Sequence, residues 1–347
     1  MYNGEVYCSF VAADPAMSRA REVSFTVAVC AYNAVPRIGR ALEALAAMRF
    51  TGPWEVLVVD NASTDGTGAL AQTWERRLPA LRVVHEATPG LAFARRRAME
   101  ESRADYVCFV DDDNLVAADY LEAASEVLRA HANIGVLVAR SDLFQLAPAP
   151  AWFDEVSHSY AVGELAGRDG FLSPNTVIWG AGFFVSRAAW SIAVRKGFAP
   201  LLHGRKGVIQ LAGEDSEISL ALNVLGWRTY YASTLKLKHA IEPARLNLRV
   251  LEDMNRGFGV AANVLQAYRS LLEGGARGWV KRRDLPYATL IFWQLARAFA
   301  KRWLTRGLTG QVELWRAQGC VKGFMSLGLR PSRVRDAPFF RRVAAGR

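Results

Sequence analysis

Short apolar runs alternate with amphipathic stretches over the first 140 residues. Val23–Cys30 (VSFTVAVC), Trp54–Val59 (WEVLVV), Leu81–Val84, Tyr106–Val110 (YVCFV) and Ile134–Val138 read as buried strands. Between them, Pro36–Met48, Thr64–Arg77, Pro89–Ser102 and Ala117–Ala130 carry apolar residues at helical spacing, with Ser63 or Thr64 as candidate N-cap. Uniformly apolar strands alternating with amphipathic helices predict an α/β fold whose mostly parallel sheet is covered on both faces. In such sheets ligands bind beyond the carboxyl ends of the strands. Here those ends are polar: Ala31-Tyr32-Asn33, Asp60-Asn61, His85-Glu86 and Asp111-Asp112-Asp113-Asn114.

From Ala139 the alternation stops. Residues 141–175 are irregular and rich in Pro, Gly and aromatics. Val177–Ser186, a helix over Glu214–Leu225, strand-like pieces at Thr229–Ala232 and Thr234–Lys238, and long helical stretches beyond Arg245 follow. The glycine-containing stretch Glu273–Asp284 marks the expected boundary. It divides the chain into a lead-in (1–22), an α/β domain (23–272) and a basic, mainly helical C-terminal extension (273–347).

With 51% hydrophobic and 11% aromatic residues, the 347-residue chain can bury a sizeable core, which excludes a disordered or low-complexity protein. The formal charge of +10 is unevenly placed. Residues 265–347 hold 17 Lys/Arg against 4 Asp/Glu, leaving 26 against 29 elsewhere. A near-neutral body joined to a basic segment argues against a nucleic-acid-coating surface. Cys8, Cys30, Cys108 and Cys320 form no C-x-x-C pair, so a reducing, cytoplasmic compartment is expected. The N-terminus has no signal-peptide pattern, and no window of about 18 uncharged apolar residues reads as a membrane span.

Five constellations carry candidate chemistry. Adjacent carboxylates at Asp111-Asp112-Asp113 persist where solvent or a cation offsets their repulsion. They suit a hard divalent ion, or a solvated turn that caps the next helix. Asp60 can accept from a ribose hydroxyl or a base N–H, whereas Ser63-Thr64-Asp65 read better as a cap. Of Arg95-Arg96-Arg97, one can reach the crevice, because consecutive helical positions diverge by about 100°. Glu214-Asp215 opens a helix, where the macrodipole favours carboxylates and a general base is equally well placed. His239 is either structural or a metal ligand beside Asp113.

Together these stretches resemble the inverting family 2 glycosyltransferases of GT-A (Rossmann-like) fold. Val27–Asn33 with Trp54–Thr67 is similar to the family's opening signature, Gly90–Arg95 to its Gly-to-Ala-Arg segment, and Phe109–Asn114 to its D-x-D motif. Gly180–Arg187 resembles the acceptor-side segment, Gly213-Glu214-Asp215 the E-D motif, and His239 sits where many members carry a late metal-binding His. The resemblance spans residues 23–250, closest to bacterial polysaccharide-assembly members. Arg96 departs from the Asn usual after the Arg.

The resemblance implies a metal-dependent transfer of sugar from a nucleotide-diphosphate donor to the hydroxyl of a glycan or lipid-linked acceptor. Ala31, Tyr32, Asn33, Asp60, Arg95, Asp111, Asp112 and Gly182 would bind the nucleotide-sugar. Asp111, Asp113 and His239 would hold Mg²⁺ or Mn²⁺, and Asp215, beside Glu214, would deprotonate the acceptor. A nucleotidyltransferase is the competing enzyme class, but Ala31-Tyr32-Asn33-Ala34 lacks its Gly-rich basic loop. A phosphatase of haloacid-dehalogenase type needs its Asp-x-Asp after the first strand, not the fourth. A third reading is a non-catalytic nucleotide-binding protein at a membrane surface. Leu285–Leu304 (LPYATLIFWQLARAFAKRWL) interleaves aromatic and basic positions. It fits either an interfacial helix on an anionic inner leaflet or a helix packed on the body with snorkelling cations.

Overall fold

The computed structural model describes residues 22–345, apart from 204, 207–208, 211, 282–283 and 306. Cys8 and almost all of the expected lead-in lie outside the described residues. The N-terminal half runs β1 (Phe25–Ala31), α1 (Ile38–Ala46), β2 (Trp54–Asn61), α2 (Thr67–Gln72), β3 (Arg82–Glu86), α3 (Leu91–Glu101) and β4 (Tyr106–Asp111). It continues through β5 (Asn114–Val116), α4 (Tyr120–Ala130) and β6 (Ile134–Phe144). After β7 (Gly170–Phe171) come β8 (Phe183–Ser186), α5 (Arg187–Arg195), α6 (Glu214–Val224) and β9 (Arg228–Ala240). The chain then turns helical: α7 (Leu248–Lys281), α8 (Asp284–Leu304), α9 (Thr309–Met325) and α10 (Pro338–Ala345).

The strands form one mixed sheet in the order β3-β2-β1-β4-β8-β6-β9-β5, with β7 also on β9. Strands β3, β2, β1 and β4 are parallel, as the alternation predicts. Their uniform apolarity follows from burial on both faces. Val27, Val29, Val56, Val58 and Val110 point to a core under α1 and α4, while Ala28, Leu57, Val59, Val107 and Phe109 point to a second core under α3 and α6.

Several elements differ from the sequence reading. The Val177–Ser186 run yields only the four-residue β8, which inserts antiparallel between β4 and β6. The two strand-like pieces after Thr229 are one strand, β9, with a register shift between Ala232 and Lys236. The helix expected from Thr64 shrinks to Thr67–Gln72 behind Gly66, whose φ is 88°. Ser63 and Thr64 do not cap it. The Asn33 N–H donates to Ser63 Oγ, and the Thr64 N–H donates to Asn33 Oδ1. The three described cysteines are free.

Helix α7 runs unbroken through position 273, where the sequence places a boundary. The extension is also part of the core: Phe339 and Phe340 of α10 are buried against Tyr268 and Phe198. Helices α7 and α9 cross in close backbone contact at Gly259 and Gly319. A β-carbon at Gly259 would overlap the Arg316 carbonyl oxygen, and one at Gly319 would overlap the Arg256 carbonyl oxygen. Backbone atoms cannot yield as a side chain does, so Gly319→Ala should lower stability by about 1–3 kcal/mol. Gly39 in α1 has open space around its Cα, so Gly39→Ala should be neutral or stabilising by about 0.5–1 kcal/mol. Thermal unfolding of the two variants checks the difference, and equal melting temperatures would contradict the crossing.

Candidate active site

A cleft of about 960 Å³ opens at the carboxyl ends of β1, β2 and β4. Ala31, Tyr32, Asn61, Gly90, Arg95 and Asp111–Asp113 line one side. Gly180, Glu214, Asp215 and His239 line it from the later elements, and one face of α7 (Met254, Phe258, Ala261, Leu265, Arg269) closes it. Helical spacing of four residues puts these α7 positions on a common face.

Arg95 sits at the floor. Its side chain is buried, with Nη2 3.7 Å from Asp111 and Nη1 3.5 Å from Glu214. Its guanidinium lies 5.0 Å from the Phe183 ring and 5.6 Å from that of Phe109. Burial works against its charge, but Glu214, Asp111 and Asp215 outweigh that and keep it protonated. The approach depends on Gly180, because a β-carbon there would meet Arg95 Nη2 at 2.8 Å and Asp215 Oδ2 at 3.0 Å. Arg95 lines the cleft, and its charge lies among this chain's own carboxylates.

Asp215 is in the first turn of α6, where its Oδ1 accepts from the Ser216 N–H. Burial, then the adjacent Glu214, push its carboxyl up to about 7, with Arg95 opposing them. Glu214 is held by Arg95 and by the Gly213 N–H.

The acidic triplet divides into three environments. Burial pushes Asp111 up against the pull of Arg95. Burial likewise pushes Asp112 up to about 6, although Arg37 grips it through Nε at 2.6 Å and Nη2 at 3.0 Å. Arg37 also donates to the Tyr32 and Asn33 carbonyls, so it ties the β1 loop to the β4 end. Burial alone would raise Asp113, but His239, Arg245 and Arg37 overcome it and hold that carboxyl below the usual range.

The pairing of β9 with β5 brings His239 opposite Asn114, which sets His239 Nε2 3.3 Å from Asp113 Oδ2. Its Nδ1 lies 2.9 Å from the Tyr160 carbonyl oxygen. A carbonyl only accepts, so Nδ1 carries a proton, and in the neutral ring the lone pair on Nε2 faces the Asp113 carboxylate. That donor pair, an imidazole oriented by a carbonyl beside a carboxylate, fits a divalent cation. Asp111 stands with Arg95 instead. Among the described residues no group of three His, Cys, Asp or Glu side chains converges on one point, so the expected three-ligand set is not assembled.

Three further expectations are displaced. Gly182 is in the core, not the cleft: its carbonyl accepts from the buried Tyr120 hydroxyl at 2.5 Å, and a β-carbon there would overlap Leu237. Gly180 and Ala181 line the cleft in its place. Asn33 and Asp60 are absent from the lining. Asp60 accepts from the Ser63 N–H, and both brace the loops on either side of Tyr32. Sequence reasoning missed Arg37, Arg245, Arg269 and Arg316. Arg245 bonds Asp113 at 3.1 Å, while Arg316 binds the neutral Asn255 and Ser159. A lone Arg outside a motif has no pattern to reveal it. Arg37 alone left a trace, four residues after Asn33.

The sheet and its acidic cleft define an α/β protein of GT-A type. Residues 26–188 match the family model described as Glycosyl transferase family 2. "Putative teichuronic acid biosynthesis glycosyltransferase TuaG" of Bacillus subtilis is 38% identical over 76 residues, 22% of this chain and 30% of TuaG. "Succinoglycan biosynthesis protein ExoM" of Rhizobium meliloti is 24% identical over 206 residues, 58% of this chain and 61% of ExoM. The chain thus spans less than two thirds of either relative. A solved mannosyltransferase of Pyrobaculum calidifontis, in complex with GDP-Man and Mn²⁺, shares the fold at TM-score 0.52 and 21% identity, covering 91% of this chain and 90% of that one.

Replacing Arg95 by Met keeps the volume between the phenylalanines and removes the charge. Asp111 and Asp215, already raised, then bind protons still more tightly in the folded than in the unfolded chain, so stability falls as pH rises from the ordinary carboxylate range through 7. Arg95→Met should lower stability by about 3–5 kcal/mol at pH 8 and by less at pH 5.5. Calorimetry at both values checks this, and a loss independent of pH would show that Arg95 does not act by charge compensation.

Proposed function

We propose that the chain transfers a sugar from a nucleoside-diphosphate donor to a hydroxyl of a glycan or lipid-linked acceptor in cell-surface polysaccharide assembly. Asp215 carries this reading: a buried carboxylate near neutrality, in the cleft shared with Asp111–Asp113. A group that titrates close to working pH is both basic enough to take a proton and largely ionised.

Asp215 removes the acceptor hydroxyl proton as that oxygen attacks the anomeric carbon. The bond from that carbon to the diphosphate oxygen breaks on the opposite face, so configuration inverts and the nucleoside diphosphate leaves. Tyr32, more than half exposed at the cleft rim, offers a ring to the nucleotide base. Ala31 lies beside it, and Asn33 and Asp60 hold its loop in place. Asp111, whose carboxyl is about one-third exposed, is placed for ribose or the diphosphate region. The α7 wall and Arg316 form the acceptor side.

Asp113 and His239 would hold Mg²⁺ or Mn²⁺, with Asp111 as the nearest further carboxylate. Such an ion offsets negative charge on the departing diphosphate. The mannosyltransferase of the same fold was solved with GDP-Man and Mn²⁺, and the same pairing is part of the proposal here.

Asp215→Asn should cut turnover by about 10²–10⁴-fold and leave donor binding by calorimetry intact. In the wild-type protein kcat/KM should climb with pH and level off above about 7, since the base acts only when ionised. Unchanged turnover in Asp215→Asn would reject the base. Chelation should abolish turnover and added Mn²⁺ restore it, with His239→Asn needing more Mn²⁺ for half-maximal rate. A chelator-insensitive rate would remove the metal from the scheme.

A further inference from the structure

The outward face of α8 is not used by the fold. Among the described residues, Ile291 and Ala298, seven residues apart, are the ones buried along it, and these form a narrow seam towards α9. At 100° per residue, Phe299, Phe292, Trp303, Ala296, Ala300, Trp293 and Leu304 fall within one continuous arc on the opposite side. The large ones are exposed, Trp293 at 60%, Trp303 at 86% and Leu304 at 84%. Arg297 borders this arc on one side, with Lys301 beyond it paired to Glu313 of α9, whereas Arg302 falls beside Ile291, where its Nε donates to Gln311 Oε1 of α9. No acidic residue occurs between positions 285 and 304. The interleaving seen in sequence thus resolves in three dimensions into an apolar face with one basic margin.

Aromatic exposure on this scale disfavours a surface that meets only water. A protein partner would have to match an aromatic strip edged by a cation on a helix without acidic residues. An anionic bilayer offers that match along its whole surface: tryptophan and phenylalanine enter the headgroup–acyl boundary while Arg and Lys meet lipid phosphate. Arg297, 5.6 Å above the Trp293 ring, keeps its charge level with the aromatic layer. Among the described residues no helix is long and apolar enough to cross a membrane. We infer that α8 docks in the plane of an anionic membrane surface through Phe292, Trp293, Phe299 and Trp303. This goes beyond the transferase reading and does not depend on it.

Flotation of the full chain with phosphatidylcholine vesicles, with and without phosphatidylglycerol, tests the inference. Wild-type protein should float with the anionic vesicles and be released by salt. Arg297→Gln should weaken partitioning about fivefold. Trp293→Ser with Trp303→Ser should abolish flotation, and because both side chains are exposed their melting temperature should not change. Three results would each overturn the inference. They are wild-type protein that stays unbound, a double-Trp variant that floats as well as wild type, and a wild-type dimer that the double-Trp variant converts to monomer.

Discussion

One buried cation among three carboxylates organises the cleft. Arg95 reaches from α3, Asp111 ends β4, and Glu214 and Asp215 open α6. α3 and β4 are consecutive, but α6 enters only after β5, α4, β6, β7, β8 and α5. Each carboxylate alone would be expensive to bury, and the guanidinium alone equally so. Joined, they fix the distance between the strand end where a diphosphate-sugar would lie and the helix that carries the base. The compensation is incomplete by design of the set: one positive charge faces three negative ones. Burial, with the charge of Glu214 added, raises Asp215 to about 7, while the carboxyl of Asp113, with His239, Arg245 and Arg37 around it, is driven the other way. Two carboxyls in one cleft are thereby pushed in opposite directions, which is the division of roles that the proposed reaction would use.

The second half of the site depends on strand pairing. The three-residue β5 follows the acidic triplet directly, and its antiparallel register with β9 sets His239 beside Asn114. The Ala240 N–H donates to the Asp113 carbonyl, which closes the same corner. A one-residue slip in β9 would turn His239 to the other face of the sheet, so this short edge pairing governs whether the Asp113–His239 pair exists.

This explains what could be read from sequence. The parallel core was legible because strands covered on both faces must be apolar throughout, and Val27–Val29, Val56–Val59 and Val107–Val110 carry that mark. Asp111, Asp215 and His239 were legible as motif positions. Their mutual arrangement was not, because it follows from an antiparallel strand, β8, whose four residues resemble any apolar run. Gly182 was misplaced for a related reason. Its positive φ of 66° and its tight fit against Leu237 demand glycine for packing, and a motif glycine looks the same whether it serves packing or a ligand. Arg37 and Arg316 act on partners 75 and 61 residues away, beyond any local pattern.

The charge division along the chain takes a different meaning once the fold is known. The basic C-terminal region is no appendage: α7 walls the cleft, α9 crosses it at Gly259 and Gly319, and Phe339 and Phe340 complete the main core. Its contacts with the body are apolar, through close backbone, or by hydrogen bonds such as those of Arg316 to Asn255 and Ser159. Helix α8 packs on α9, and Lys301 of α8 pairs with Glu313 of α9, less than one helical turn before Arg316 in the cleft lining. A surface engaged by α8 is therefore coupled to the cleft through two packed helices and no flexible linker. Such coupling would hold the cleft at a set height and tilt over that surface, which for an acceptor anchored in lipid matters as much as the chemistry at Asp215.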